Sequence, residues 1–426
     1  MKKQTPRELL DAYVPQLPNK HAVRLTWLLM GALQLLHPAR YFYKFDKREM
    51  KGRPVLLLAQ HASFDDPYDV LWGYRFVMPN AIMSMHNILL PGLMRLLMAD
   101  GVILKSLYEP DMSAMRHLLR LHKQGASFAL FPEGIQSVDG TTQPLHPATA
   151  RLVKKLAMDT VLCTSHGAYL SHPRFASGAR RGRKEYTYEL LFQKDELKSM
   201  TEAEVYARLL GKFRYNDFLW NSDKHYPYRG KTPCADGIDR LLFICPRCGR
   251  QFTMHVEGER LLCDCGSAVR IDGSYQLLPE APGFPFARID EWYRWQQDRI
   301  AGEVQAEDFT LRYDASYQML NLDRLSRQRN VTVGEGRVTL DRECFRYTGT
   351  KDGEAVDLRF KLSRLPSVPF PKKPGNEFYY DGVFHLFTPT ADPRLAVKVL
   401  LAVEALHNLD DPVRRKACED VGSAAE

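Results

Sequence analysis

Between about residues 54 and 192, short continuous apolar runs alternate with stretches whose apolar positions recur every three or four residues. VLLLA (55–59), SFALF (127–131) and TVLCTS (160–165) are such runs, bounded as strands covered on both faces would be. MSAMRHLLRLHKQG (112–125) and ATARLVKKLAM (148–158) carry helical spacing, and Gly125 is a plausible stop for the first. The alternation predicts an α/β domain with a mostly parallel sheet covered by helices. TEAEVYARL (201–209) opens with a Thr201/Glu204 capping box, so a helix closes this unit. The Pro- and Gly-dense YPYRGKTPCADG (226–237) then reads as a linker. Beyond residue 292 the texture turns to period-two alternation with Gly-containing turns: NVTVGEGRVTLDRECFRYTG, AVDLRFKLSRL and NEFYYDGVFHLFTP. These predict hairpins of a small antiparallel barrel or sandwich. PRLAVKVLLAVEALHNL (393–409), apolar at 395, 399, 403 and 406, predicts a closing helix.

Between linker and hairpins stands CPRCGRQFTMHVEGERLLCDCG, residues 245–266. Cys245 and Cys248 form one close pair, Cys263 and Cys265 the other, each followed by a glycine that eases a tight turn. Four thiolates at this spacing satisfy tetrahedral zinc and leave no open position, so the expected metal is structural zinc rather than catalytic. The second pair is one residue shorter than the commonest ribbon spacing. The other four cysteines are scattered, which without a secretory signal argues for a reducing compartment. The expected organisation is therefore three domains: 1–230, a four-cysteine zinc ribbon at 238–275, and a β-rich domain at 285–415.

Charge changes the picture at one end. The chain has 426 residues and a formal charge of +8, and the first 53 residues hold eleven basic against four acidic side chains. A basic end favours a polyanionic partner. The same segment contains LTWLLMGALQLL (25–36), twelve residues without a charge. A bilayer-spanning helix needs roughly 20 apolar residues, so this stretch does not span, and it lacks a signal-peptide cleavage site. Trp27 and the leucines beside basic residues suit a helix lying in the headgroup region of an anionic membrane surface. The location expected is cytoplasmic, peripheral on the inner face of the membrane.

The chemistry gathers at predicted strand ends, where open α/β sheets place their sites. QHASFDDP (60–67) follows VLLLA: His61 can act as a base, and Asp66 one turn on can fix its tautomer, with Asp65 as rival. Both aspartates also make sense as simple helix caps. FPEG (131–134) follows the strand SFALF, with Glu133 suited to gripping a hydroxyl and Gly134 admitting a close backbone approach. The run RRGRK (180–184) reads as a solvated loop.

His61-x4-Asp66 followed by Phe131-Pro132-Glu133-Gly134 resembles the glycerolipid acyltransferase superfamily, over roughly residues 20–220. The resemblance implies His61 as general base, Asp66 as its orienter and FPEG in the acceptor pocket. It also implies acyl-CoA or acyl carrier protein as donor and a lysolipid such as lysophosphatidic acid as acceptor; no nucleic acid is expected as partner, since no aromatic-plus-basic strand pattern of a single-strand reader stands out. The implied substrate-binding set is Ser63, Lys105, Phe131, Pro132, Glu133, Gly134 and Gln136. The chain departs from the family where the acceptor phosphate is usually met. Lys105 is displaced from the expected basic position, and Gln136 stands where arginine is usual; glutamine cannot supply that charge, and Lys105 or the basic run RRGRK (180–184) is the alternative source of it. The β-rich end closed by a helix resembles the pleckstrin-homology or GRAM-like fold. The rival reading is a non-catalytic membrane- or nucleic-acid-binding scaffold built on a decayed acyltransferase fold.

Overall fold

The computed structural model describes residues 5–90, 92–106, 111–323, 329–370 and 375–410; residues 411–415 of the expected third domain, and Cys418, lie outside them. The first sheet has seven strands: β1 (Arg40–Tyr43), β2 (Val55–Ala59), β3 (Asn80–Ser84), β4 (Ile103–Lys105), β5 (Phe128–Leu130), β6 (Asp159–His166) and β7 (Glu185–Phe192). Their order is β1-β7-β6-β2-β5-β3-β4. Strands β6, β2, β5, β3 and β4 run parallel, while β7 is antiparallel to β6 and carries β1 parallel to itself. All five residues of β2 are buried, as its unbroken apolar run requires of a central strand.

This order makes a site. The chain leaves β2 toward β3, returns to insert β5 beside β2, then crosses to β6 on the other flank. The carboxyl ends of β2 and β5 therefore emerge side by side at a topological switch point, roughly 5 Å apart. Residues 72 apart in sequence meet there.

Helix Lys20–Leu36 is longer than the charge-free run alone predicts, because Asn19 caps it by accepting from the N–H groups of His21 and Ala22. It buries only Thr26 and Met30. Thr26 donates to Asp100 at 2.5 Å, and Trp27 meets Trp72 edge-on at 6.5 Å. Gly31 allows the close approach to the helix Asp66–Gly73, since a Cβ there would lie 2.9 Å from the Trp72 ring. Its outer face leaves Leu28 70% and Leu35 86% exposed, with Leu25, Leu29, Leu33 and Leu36 also open. No helix among the described residues is long and apolar enough to cross a membrane.

A four-stranded antiparallel sheet follows, β8 (Met254–Glu257), β9 (Arg260–Cys263), β10 (Ala268–Ile271) and β11 (Leu277–Pro279), in the order β11-β10-β9-β8. The last sheet holds β12 (Leu311–Leu320), β13 (Asn330–Leu340), β14 (Cys344–Lys351), β15 (Glu354–Lys361), β16 (Asn376–Tyr380) and β17 (Val383–Pro389). It is antiparallel throughout, ordered β15-β14-β13-β12-β17-β16, and helix Leu395–Asp410 packs against it and against helix Ile289–Glu303. One apolar cluster runs without a break from Met30 and β2 through Phe243 and Ile271 to Leu406. The later sheets thus share a core with the first. Polar ties reinforce it: Tyr275 donates to the Leu170 carbonyl at 3.0 Å, and Trp292 to that of Ile244 at 3.0 Å.

Candidate active site

His61 lies just past the end of β2, with its side chain 22% exposed and its ring 4.6 Å from that of Phe131. Its Nδ1 faces Asp66 Oδ2 at 3.5 Å, a long hydrogen bond. Asp66 is fully buried and is the first residue of its helix; Asp65 holds the cap position but makes no side-chain cap bond. The same Asp66 oxygen accepts from the Ser63 backbone N–H at 2.5 Å. Asp65 turns the other way, with Oδ2 3.2 Å from His172 Nδ1. Geometry thus distinguishes the two aspartates that sequence left as rivals. With Nδ1–H given to Asp66, the Nε2 lone pair is left for a proton.

Glu133 is buried, and both of its oxygens are taken. Oε2 accepts from the His61 backbone N–H at 2.6 Å and Oε1 from that of Gln143 at 2.9 Å. Burial pushes its carboxyl up to about 8, against the pull of those two donors. The acid that sequence placed as a grip on a hydroxyl is, in this geometry, a clamp between the β2 and β5 loops. Ser137 N–H donates to the His61 carbonyl at 2.8 Å and closes the same junction. Gly134 sits at φ +77°, in the left-handed turn that its lack of a side chain permits, exposed beside half-buried Pro132.

Other predicted residues lie further from the open side of His61. Ser63 is fully buried, and its Oγ accepts from Asp65 N–H at 3.1 Å. Gln136 is 4% exposed; its Nε2 reaches the Ala62 carbonyl at 3.4 Å. Lys105 ends edge strand β4, three strand spacings from β2, or roughly 14 Å. Its Nζ donates to the Ser106 carbonyl at 3.0 Å.

Sequence reasoning missed a second layer. Tyr186 on β7 brings its hydroxyl 2.9 Å from Asp66 Oδ1 and 2.9 Å from Asp69 Oδ2. Asp69 also accepts from Lys184 at 2.6 Å and from Gln34. Burial lifts the Asp69 carboxyl although Lys184 pulls the other way. RRGRK is solvated only in part: Arg181 is exposed, but Arg180 is 2% exposed and Lys184, the counter-charge of this buried acid, 4%. Arg174, also buried, donates to the carbonyls of Gln136 at 3.1 Å and Phe370 at 2.6 Å, tying the β5 loop to the last part of the chain. Asp69 falls one helical turn after Asp66, the single sequence signal that pointed to this layer.

The four cysteine sulfurs at 245, 248, 263 and 265 lie within 4.8 Å of one another. Cys245–Cys265 and Cys248–Cys263 are 3.7 and 3.9 Å apart. A tetrahedron with metal–sulfur bonds of about 2.3 Å has edges of about 3.8 Å, so the donor set fits zinc. Gly249 (φ +70°) and Gly266 (φ +82°) turn the chain behind each pair.

No protein-family model matches the chain, and no curated protein does. Among solved structures it is similar to the 1-acyl-sn-glycerophosphate (LPA) acyltransferase PlsC from Thermotoga maritima. The identity is 17% and the TM-score 0.37, over 43% of this chain and 75% of that one. A likeness that distant carries no argument about the chemistry.

Proposed function

We propose that this protein is a membrane-associated O-acyltransferase that moves a fatty acyl group from a thioester to a hydroxyl of a lysoglycerolipid. The observation that carries the reading is the pairing of partly exposed His61 with wholly buried Asp66, at a switch point of an α/β sheet. His61 Nε2 takes the proton from the acceptor hydroxyl as that oxygen attacks the thioester carbonyl. Asp66 stabilises the imidazolium that forms. The thiolate departs readily, so no strong general acid is needed, and no acyl-enzyme intermediate is invoked. The backbone N–H groups of His61, Ser63 and Gly134 already have acceptors, so the oxyanion must be met by other donors. Coenzyme A or acyl carrier protein brings the acyl group.

The leucine face of helix Lys20–Leu36, beside the basic N-terminal segment, is the surface that rests on anionic lipid, with its leucines in the acyl boundary. On this reading the protein works at the cytoplasmic face, whose leaflet carries the anionic lipid. Zinc held by Cys245, Cys248, Cys263 and Cys265 braces the second sheet and takes no part in the transfer. The first sheet, on the same reading, belongs to an acyltransferase domain, the second to a zinc ribbon and the third to a pleckstrin-homology or GRAM-like domain. A panel of lysolipids, with and without phosphate, incubated with radiolabelled acyl-CoA and the purified chain tests the reading. Labelled diacyl product is expected. Absence of product with every acceptor, from both acyl-CoA and acyl carrier protein donors, overturns it.

A further inference from the structure

Because β7 and β1 run opposite to β6, they begin at the edge where β2 and β5 end. The segments leading into them, 35–38 and 180–184, enclose a cavity of about 230 Å³ that also touches Asp65 and Ser171. Its charges are not balanced. Lys184 is answered by Asp69, and Asp65 is engaged by His172. Arg181 is exposed and has no ion pair among the described residues. Behind it, Arg180 is 2% exposed; one nitrogen donates to the Pro233 carbonyl at 2.5 Å, while Nε and Nη1 meet no partner. No carboxylate lies within ion-pair distance of Arg180 among the described residues. Arg180 is among the residues lining the cavity, so its charge is felt there. Arg180 faces the Tyr275 ring at 5.8 Å and interacts at longer range with the Asp236 carboxylate, so the guanidinium left to be answered is that of Arg181, and the group best shaped to answer it is a phosphate. The opposite wall is greasy: Leu35 and Leu36, 86% and 54% exposed, end the helix whose outer face is leucine.

We propose that this cavity binds a phosphate monoester, with Arg181 as its fork, Arg180 supplying field from behind, and the ester's apolar tail lying along Leu35 and Leu36. The start of β7 is two strand spacings from β2, roughly 10 Å, so the site flanks His61 on the side opposite Lys105. It supplies, from the segment leading into β7, the charge that Gln136 lacks. That the ester is the acceptor's headgroup rests on the acyl-transfer reading; that the cavity binds phosphate does not.

The test is binding by the full chain, with no acyl donor, to phosphatidylcholine vesicles doped with lysophosphatidic acid or, at matched surface charge, with phosphatidylserine. The wild-type chain should prefer the monoester vesicles by about tenfold, the worth of one charge-assisted hydrogen-bonded pair. Arg181→Gln, on the surface, should abolish that preference. Lys194→Gln, an exposed cation past the far end of β7, should keep it. Displacement by glycerol 3-phosphate would identify a site for the ester alone. A preference that persists against it would identify the lipid headgroup. Equal weakening toward both vesicles in Arg181→Gln, or no preference in the wild type, overturns the proposal, whatever the outcome for acyl transfer.

Discussion

Replacing Asp66 by asparagine removes a charge and almost nothing else. The Asp66 oxygens accept from Ser63 N–H and Tyr186 hydroxyl, and one stands 3.5 Å from His61 Nδ1. An asparagine can keep its oxygen toward Ser63 and His61. Its amide then donates to Tyr186, whose hydroxyl turns its own proton to Asp69, 2.9 Å away. Every hydrogen bond and the histidine tautomer survive, and the fold should melt within a few degrees of wild type. What is lost is the attraction between imidazolium and carboxylate. At 3.5 Å and an effective dielectric of about 20 this is about 5 kcal/mol, and the partial exposure of the ring lowers it to roughly 3–4. We therefore expect kcat for Asp66→Asn to fall roughly 10²–10³-fold in a continuous thiol-release assay. Asp65→Asn, which faces His172, should lose less than about tenfold. In a Tyr186→Phe background the asparagine amide loses its acceptor, and the double variant should lose about 1–3 kcal/mol more than the sum of the singles. An Asp66→Asn enzyme within tenfold of wild type, or an Asp65→Asn enzyme crippled more deeply, would refute the assignment.

Glu133→Gln should lower stability by about 1–3 kcal/mol, because an amide cannot accept from both His61 and Gln143. It should also change the pH dependence of unfolding. A carboxyl raised to about 8 in the folded chain binds its proton more tightly there than when unfolded, so its contribution declines as pH rises from about 4.5 to about 8. Denaturant titrations across that range should show a shallower decline in Glu133→Gln. Some decline should remain, since Asp217, raised to about 7 by burial, acts in the same direction. Metal analysis should find one zinc per chain. Cys263→Ser or chelation should lower the melting temperature without abolishing transfer in whatever fraction stays folded. Leu28→Asp with Leu35→Asp should abolish vesicle co-sedimentation, since burying each leucine contributes roughly 1.5–3 kcal/mol, and should leave melting unchanged because both are exposed.

Local pattern made the parallel core readable. VLLLA, SFALF and TVLCTS are strands because they are short, mostly apolar and flanked by breaks, the pattern of a sheet covered on both faces. The cysteine pairs were equally legible, since short spacings fix their geometry before the fold does. What could not be read was anything set by strand order. β7 carries polar residues and looks like a surface strand, yet its Tyr186 and the preceding Lys184 hold the acids behind His61. Nothing within residues 180–186 announces a partner 115 residues away. Glu133 shows the other limit: it lies beside His61, but only coordinates reveal that both of its oxygens are spent on backbone. The helix 25–36 was extended by its cap, a contact of one side chain rather than a periodicity.

The most direct measurement is the single-turnover rate of acyl transfer from purified acyl-CoA to a lysolipid by His61→Ala, beside wild type at equal folded concentration. A general base at position 61 predicts a loss of at least about a hundredfold, with lysolipid binding and thermal stability retained. Transfer by the alanine variant at a rate near that of wild type would contradict it, and with it the role of Asp66 as the carboxylate that orients and steadies the base.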